Sequence, residues 1–131
     1  MLNLKADITP VVAAGHSLGE YSALCASGVL NYEDALQCIK VRAESMDSAQ
    51  PHGTCGMVAV IGVSKERVHD ILQTRFASAP ISIANYNSAD QIVLSGKLDF
   101  LKDAADVLGN EKRCRCVFLP VSSAFHTDFM V

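Results

Sequence analysis

The chain has 131 residues, a formal net charge of −3 at pH 7, and 50% hydrophobic against 19% charged residues. So much apolar content with so little net charge excludes intrinsic disorder, and a slightly acidic chain is a poor partner for nucleic acid. No charge-free apolar run approaches the ~20 residues that span a bilayer. Five cysteines at irregular spacing, with no signal or transit peptide at the start, point to a reducing compartment, the cytoplasm, rather than a disulfide framework.

Residues 7–14 read as a buried strand, through Ile8, Val11, Val12, Ala13 and Ala14. Such a strand needs neighbours on both sides, yet little sequence precedes it. The last residues, Phe129, Met130 and Val131, are apolar as well. The chain is therefore expected to be a segment of a larger domain. After Gly15-His16-Ser17-Leu18-Gly19 comes a run whose Leu, Glu and Ala suit a helix, stopped at Gly28. Asn31 is the expected N-cap of a second helix, with Glu33 and Asp34 in the first turn, where the macrodipole favours acids. Ala35, Ile39 and Met46 share one face of it, and Arg42 falls on that same face. The helix should end near Ala49, before the loop chemistry of Gln50-Pro51-His52-Gly53.

From Gly56 the texture changes. Residues 57–63 read as a strand and 64–76 as a helix capped by Ser64, with Val68, Ile71 and Leu72 on one side. Residues 81–86 and 91–95 read as strands joined by the turn Asn87-Ser88-Ala89-Asp90. A helix is expected over 98–108, stopped by Gly109-Asn110. A last strand, 114–119, turns Cys114, Cys116 and Phe118 one way and Arg115 and Val117 the other. This order, βαββαβ, is that of a ferredoxin-like unit, expected over 56–120.

Gly15-His16-Ser17-Leu18-Gly19 fits the pattern G-x-S-x-G between a strand and a helix. On such a turn the serine Oγ projects from the end of the strand, and the residues two before and two after must be small. The following helix aims its free N–H groups at the site, so the Leu18 N–H is a candidate oxyanion donor. A serine hydroxyl is a poor nucleophile at neutral pH and needs a base. His16 adjoins Ser17, but neighbours on such a turn point apart. His52 sits in a Pro-Gly loop and His69 on the polar side of a helix, both solvated positions. His126 lies in the small-residue and apolar stretch Val121-Ser122-Ser123-Ala124-Phe125, and position alone leaves base and core histidine equally open. Arg42 on an apolar face costs several kcal/mol unless an anion pairs with it. Periodicity favours a structural ion pair or snorkelling stem over capture of a substrate carboxylate. Cys114-x-Cys116 lacks two further ligands nearby and does not suggest a metal site.

The segment from Gly15 to Leu24, GHSLGEYSAL, resembles the nucleophile signature of malonyl-CoA:acyl carrier protein transacylases. Asn85-Tyr86-Asn87-Ser88 with Val93-Leu94-Ser95-Gly96 resembles that family's small-subdomain hairpin, and Leu119-Pro120-Val121-Ser122-Ser123-Ala124-Phe125-His126-Thr127 its histidine segment. The resemblance implies an α/β fold, a partial α/β-hydrolase-like large subdomain with the ferredoxin-like unit inserted. Its pieces are expected at 1–55, 56–120 and 121–131, the last returning to the large subdomain with the histidine. It also implies that Ser17 is acylated by malonyl-CoA and that the acyl group then passes to the phosphopantetheine thiol of acyl carrier protein. His126 serves as base and then acid. Arg42, in Val41-Arg42-Ala43-Glu44-Ser45-Met46, holds the malonyl carboxylate. His16, Phe125 and Met46 complete the substrate-binding set, Phe125 at the position linked to choice between malonyl and methylmalonyl. Asp128 is not needed as a triad acid, since the family works through a Ser–His pair. No metal or cofactor is implied, and neither nucleic acid nor membrane.

Nothing in the chain matches the family's glutamine-glycine loop, which supplies a second oxyanion donor, or its C-terminal carbonyl that orients the histidine. The segment alone is therefore expected to be nearly inactive, since one oxyanion donor is worth roughly 10²–10³ in kcat. Two other readings share the pentapeptide. A serine esterase or thioesterase of the α/β-hydrolase class would carry an acid between serine and histidine and no such insert. An inert carrier-protein-binding fragment would leave Ser17 unreactive.

Overall fold

The computed structural model describes residues 10–130. The elements are α1 (Gly19–Ala26), α2 (Tyr32–Ser48), β1 (Cys55–Ile61), α3 (Lys65–Arg75), β2 (Ile81–Ser88), β3 (Gln91–Lys97), α4 (Leu98–Gly109) and β4 (Arg115–Phe118), then a 3-10 turn over Asp128–Met130. They form two compact units divided between Ser45 and Met46. The division falls inside the last turns of α2.

In the first unit, α2 begins where its cap dictates. Asn31 Oδ1 accepts from the Asp34 N–H at 2.7 Å, and Asn31 Nδ2 donates to Asp34 Oδ2 at 2.7 Å. One otherwise orphaned helix N–H is thereby satisfied. Gly28, with φ +74°, closes α1 as its position after the last helical residues requires. The strand expected over 7–14 is not formed by the part of it that is described. Its first three residues lie outside the described residues, and 10–14 run as irregular chain with Val11 and Val12 exposed. The physical reason is pairing. A central strand is defined by its neighbours, and no strand pairs with 10–14 among the described residues.

The second unit is a four-stranded antiparallel sheet in the order β2-β3-β1-β4. β1 and β2 are separated by β3, and β3 and β4 by β1, so each helical connection spans one intervening strand. Val58 and Val60 of β1 with Ile92 and Leu94 of β3 pack against Val68 and Ile71 of α3 and Leu101, Ala104, Ala105 and Leu108 of α4. Full burial of each such Val, Leu or Ile is worth about 1.5–3 kcal/mol. The opposite face, Met57, Ala59 and Val93, is covered by Leu119, Val121 and Phe125. Burial on both sides explains why β1 is an unbroken apolar run without alternation.

Two local expectations need correction. The turn between β2 and β3 is shorter than the four residues 87–90, because Ser88 already pairs with Gln91 and register shifts after Ile83 and Tyr86 carry β2 further. Cys114, just before β4, and Cys116 within it do face the core, but Phe118 is 44% exposed. It closes a four-residue edge strand.

Three turns meet at one end of the sheet. Gly62 has φ +88°, its N–H donates to Asp90 O at 2.8 Å, and a Cβ on it would stand 2.3 Å from Arg113 O. Both the backbone conformation and the space demand glycine. Gly62→Ala is expected to destabilise the chain by at least about 2 kcal/mol. Gly109→Ala, which meets nothing within 4 Å at the end of α4, should be neutral or stabilising by roughly 0.5–1 kcal/mol. Urea denaturation of both variants checks the contrast.

On the surface, Arg67 Nε and Nη2 donate to Glu111 Oε1 at 3.2 and 2.8 Å. The guanidinium hydrogen bonds hold the Glu111 carboxyl below the usual carboxylate range. A lowered folded pKa means that this contribution is present above the unfolded Glu range and is lost as the pH falls through the depressed value. Glu111→Gln should therefore lose stability at neutral pH and converge with the parent in acid, as read by denaturation at pH 7 and pH 3.

Candidate functional site

The pentapeptide forms a tight turn held by its own backbone. The Gly19 N–H donates to His16 O at 2.9 Å, Glu20 N–H to Ser17 O at 3.1 Å and Tyr21 N–H to Leu18 O at 3.3 Å. A Cβ on Gly15 would stand 2.0 Å from the Gly19 carbonyl carbon and oxygen, so the chain can close here only without a side chain. A Cβ on Gly19 meets nothing within 4 Å. The expectation that both flanking positions must be small thus holds for Gly15 alone. Between them Ser17 takes φ +53°, a left-handed backbone that a non-glycine residue adopts only when its surroundings impose it. Leu18 caps α1 with helical dihedrals and is about half exposed. His16 is exposed and holds the turn through its carbonyl.

Arg42 is half-buried on α2, and its Nη2 donates to Ser17 Oγ at 2.9 Å. The arginine singled out on the helix face and the serine of the turn, 25 residues apart, are thus in direct contact. Among the described residues no carboxylate forms an ion pair with Arg42. The structural ion pair that periodicity favours is replaced by a bond to a neutral hydroxyl.

In the second unit, His126 also has a left-handed backbone, φ +58°. The turn around it is held by Thr127, whose Oγ1 donates to Ala124 O at 2.6 Å and accepts from Phe129 N at 3.3 Å. Ala124 is fully buried and Phe125 packs on the sheet face formed by Met57, Ala59 and Val93. Ser123, also buried, donates from Oγ to Met46 O at 3.3 Å, one of the carbonyls that the end of α2 leaves without an intrahelical partner. Asp128 opens the 3-10 turn, the position of an N-terminal acid. Thr127 and Ser123 escaped the sequence reading. A threonine next to the histidine could have been suspected as a local hydroxyl-to-backbone clamp. The Ser123 contact, 77 residues distant, carries no local signal.

The other polar candidates fall away. The Cys114 and Cys116 sulfurs are 3.9 Å apart, and burial pushes the Cys116 thiol up to about 12 and raises Cys114 too. Thiols held protonated are neither good nucleophiles nor good ligands. Among the described residues no group of three or more His, Cys, Asp or Glu side chains could hold a metal ion. No helix among the described residues is long and apolar enough to cross a membrane.

Comparison with known proteins gives a consistent picture. The family model described as acyl transferase domain matches residues 5–131. The malonyl CoA-acyl carrier protein transacylase of Haemophilus influenzae is 36% identical over 124 residues, 95% of this chain and 40% of the relative. The polyketide biosynthesis protein ThaF of Burkholderia thailandensis is 42% identical over 121 residues, 92% of this chain and 10% of the relative. The crystal structure of malonyl CoA-acyl carrier protein transacylase from Clostridium perfringens superposes with a TM-score of 0.88 at 38% identity, covering 98% of this chain and 40% of that one. The chain thus spans about 40% of the length of the transacylases it matches.

The asymmetry of the two glycines is directly measurable. Gly15→Ala should open the turn and speed amide exchange at Gly19, Glu20 and Tyr21 by about tenfold or more. Gly19→Ala should leave those rates within about twofold. Hydrogen exchange followed by mass spectrometry reads both.

Proposed function

Because the chain belongs to the acyl transferase domain family, we propose that it carries the reactive serine of an enzyme that moves a malonyl group from CoA to the phosphopantetheine thiol of acyl carrier protein. The names of its relatives support this reading, and they cover both malonyl transfer and polyketide biosynthesis. The observation that carries it is backbone strain. The described non-glycine residues with positive φ are Ser17, His126 and Arg113. Arg113 lies in the turn that closes on Gly62 at the end of the sheet, away from both candidate residues in sequence. The other two are the serine and the histidine that the chemistry requires, and strain of this kind persists where function over-determines the fold. The finer architecture belongs to the same proposal: a ferredoxin-like unit at 56–120 inserted between the α/β-hydrolase-like pieces 1–55 and 121–131.

In the proposed mechanism Ser17 Oγ gives its proton to His126 and attacks the malonyl thioester carbonyl. The Leu18 N–H, at the head of α1, is the oxyanion donor this segment supplies. The C–S bond breaks, His126 returns the proton to the CoA sulfur, and a malonyl ester remains on Ser17. The carrier thiol then loses its proton to His126 and attacks the ester carbonyl, the Oγ–C bond breaks, His126 returns the proton to Ser17 Oγ, and the malonyl group leaves as a new thioester. Arg42 holds the malonyl carboxylate through both half-reactions, with His16, Met46 and Phe125 as the further substrate-binding residues. The chemistry asks for no metal or cofactor. Its substrates are malonyl-CoA and the carrier protein with its free phosphopantetheine thiol.

Incubation of the full-length protein with malonyl-CoA should add one malonyl group to Ser17 by mass spectrometry, and none to Ser17→Ala. His126→Ala should slow that acylation by about 10²–10⁴-fold, the usual worth of a general base. Adding acyl carrier protein should move the label to its thiol in ping-pong fashion. Release as free malonate instead would identify a hydrolase, and an unlabelled Ser17 would reject the enzymatic reading altogether.

A further inference from the structure

We propose that Arg42 is also a latch on the nucleophile, which a substrate carboxylate releases. The inference rests on the acyl-transfer reading and starts from the bond between Arg42 Nη2 and Ser17 Oγ, 2.9 Å long. A guanidinium is a donor only. Oγ is therefore the acceptor, with a lone pair committed to a cation, and an oxygen so engaged is a weaker nucleophile. The bond leaves the charge on Arg42 without an anionic partner among the described residues. A half-buried cation in that state favours any carboxylate that can reach it.

The exchange then follows from relative bond strengths. A carboxylate accepts from a guanidinium in two parallel bonds between opposite charges, where the hydroxyl offers a single neutral acceptor. An acyl group with a terminal carboxylate draws Arg42 off Ser17 as it binds, and the freed lone pair attacks. The new bond joins Oγ to the thioester carbon, the C–S bond breaks, and the serine proton passes through His126 to the CoA sulfur. An acyl group without a carboxylate has nothing to exchange, so Arg42 stays on Oγ and the attack is slow even when the site is full. Selection for a dicarboxylic acyl group thus acts on the reactivity of the serine as well as on binding. It appears in kcat and not only in KM.

The test supplies the acyl group and the carboxylate separately. Acetyl-CoA lacks the carboxylate, and formate is a small free carboxylate that can occupy its place. In the full-length protein, formate at constant ionic strength should raise kcat for acetyl transfer to the carrier by about tenfold, and chloride should not. Arg42→Ala should transfer acetyl at the raised rate without formate and gain nothing from it, while its malonyl transfer falls. That retained acetyl activity shows the variant is folded. Absence of any formate effect, or slower acetyl transfer in Arg42→Ala, overturns the latch. Malonyl transfer by the parent, run alongside, separates the two failures. If it proceeds, only the latch is wrong. If it is absent, the acyl-transfer reading falls and the latch with it.

Discussion

A left-handed backbone at a serine is the constraint on which the first unit is arranged. Such a conformation costs about 1–3 kcal/mol for a residue with a side chain, so something must hold it. Here the holding is done by Gly15, where a side chain would collide with the Gly19 carbonyl, and by three successive turn bonds that lead into α1. The result is a hydroxyl whose position is set by the backbone more than by its rotamer. A site on a helix can then be built to meet it, and Arg42 on α2 does so.

The second unit solves a similar problem with different means. His126 has no close glycine crossing to enforce its conformation. It is held instead by the Thr127 hydroxyl, bonded forward and backward along the chain, and by the two residues before it, Ala124 fully buried and Phe125 packed on the sheet face. This anchoring depends on the sheet. Because β1 is buried on both faces, Met57 and Ala59 offer an apolar surface on which the 119–125 segment can lie, and the Leu119 N–H extends the ladder by donating to Met57 O at 2.9 Å. The helix-covered face supplies stability and the other positions the histidine.

What could be read from the residues follows the range of the interactions. The caps at Asn31 and Ser64, the apolar side of α3 and the stop at Gly28 depend on neighbours within four residues, and they appear where they were expected. The order of strands and helices was legible for the same reason. Strand identity at 10–14 was not, since a strand is a property of two segments and no pairing partner for it lies among the described residues. The short β2–β3 turn was hidden by register shifts that only cross-strand pairing can impose. Phe118 was placed by alternation alone, which takes no account of where the strand ends. The left-handed turn at His126 was invisible because neither glycine nor asparagine marks it.

Arg42 shows where reading by period misleads and what corrects it. A cation on an apolar helix face has three ordinary outcomes: an ion pair, a snorkelling stem, or a ligand. Spacing alone favours the first two, because they are common. The observed partner is a hydroxyl, which fits none of the three as they stand, for a neutral acceptor satisfies a donor without compensating its charge. A protein that needed only a structural contact could place a neutral donor there at lower cost of desolvation. Keeping a guanidinium makes sense when a second, anionic partner is part of the working cycle. In the proposed reaction that partner arrives with the substrate, so the charge left uncompensated in the resting molecule becomes the means by which the acyl group is chosen.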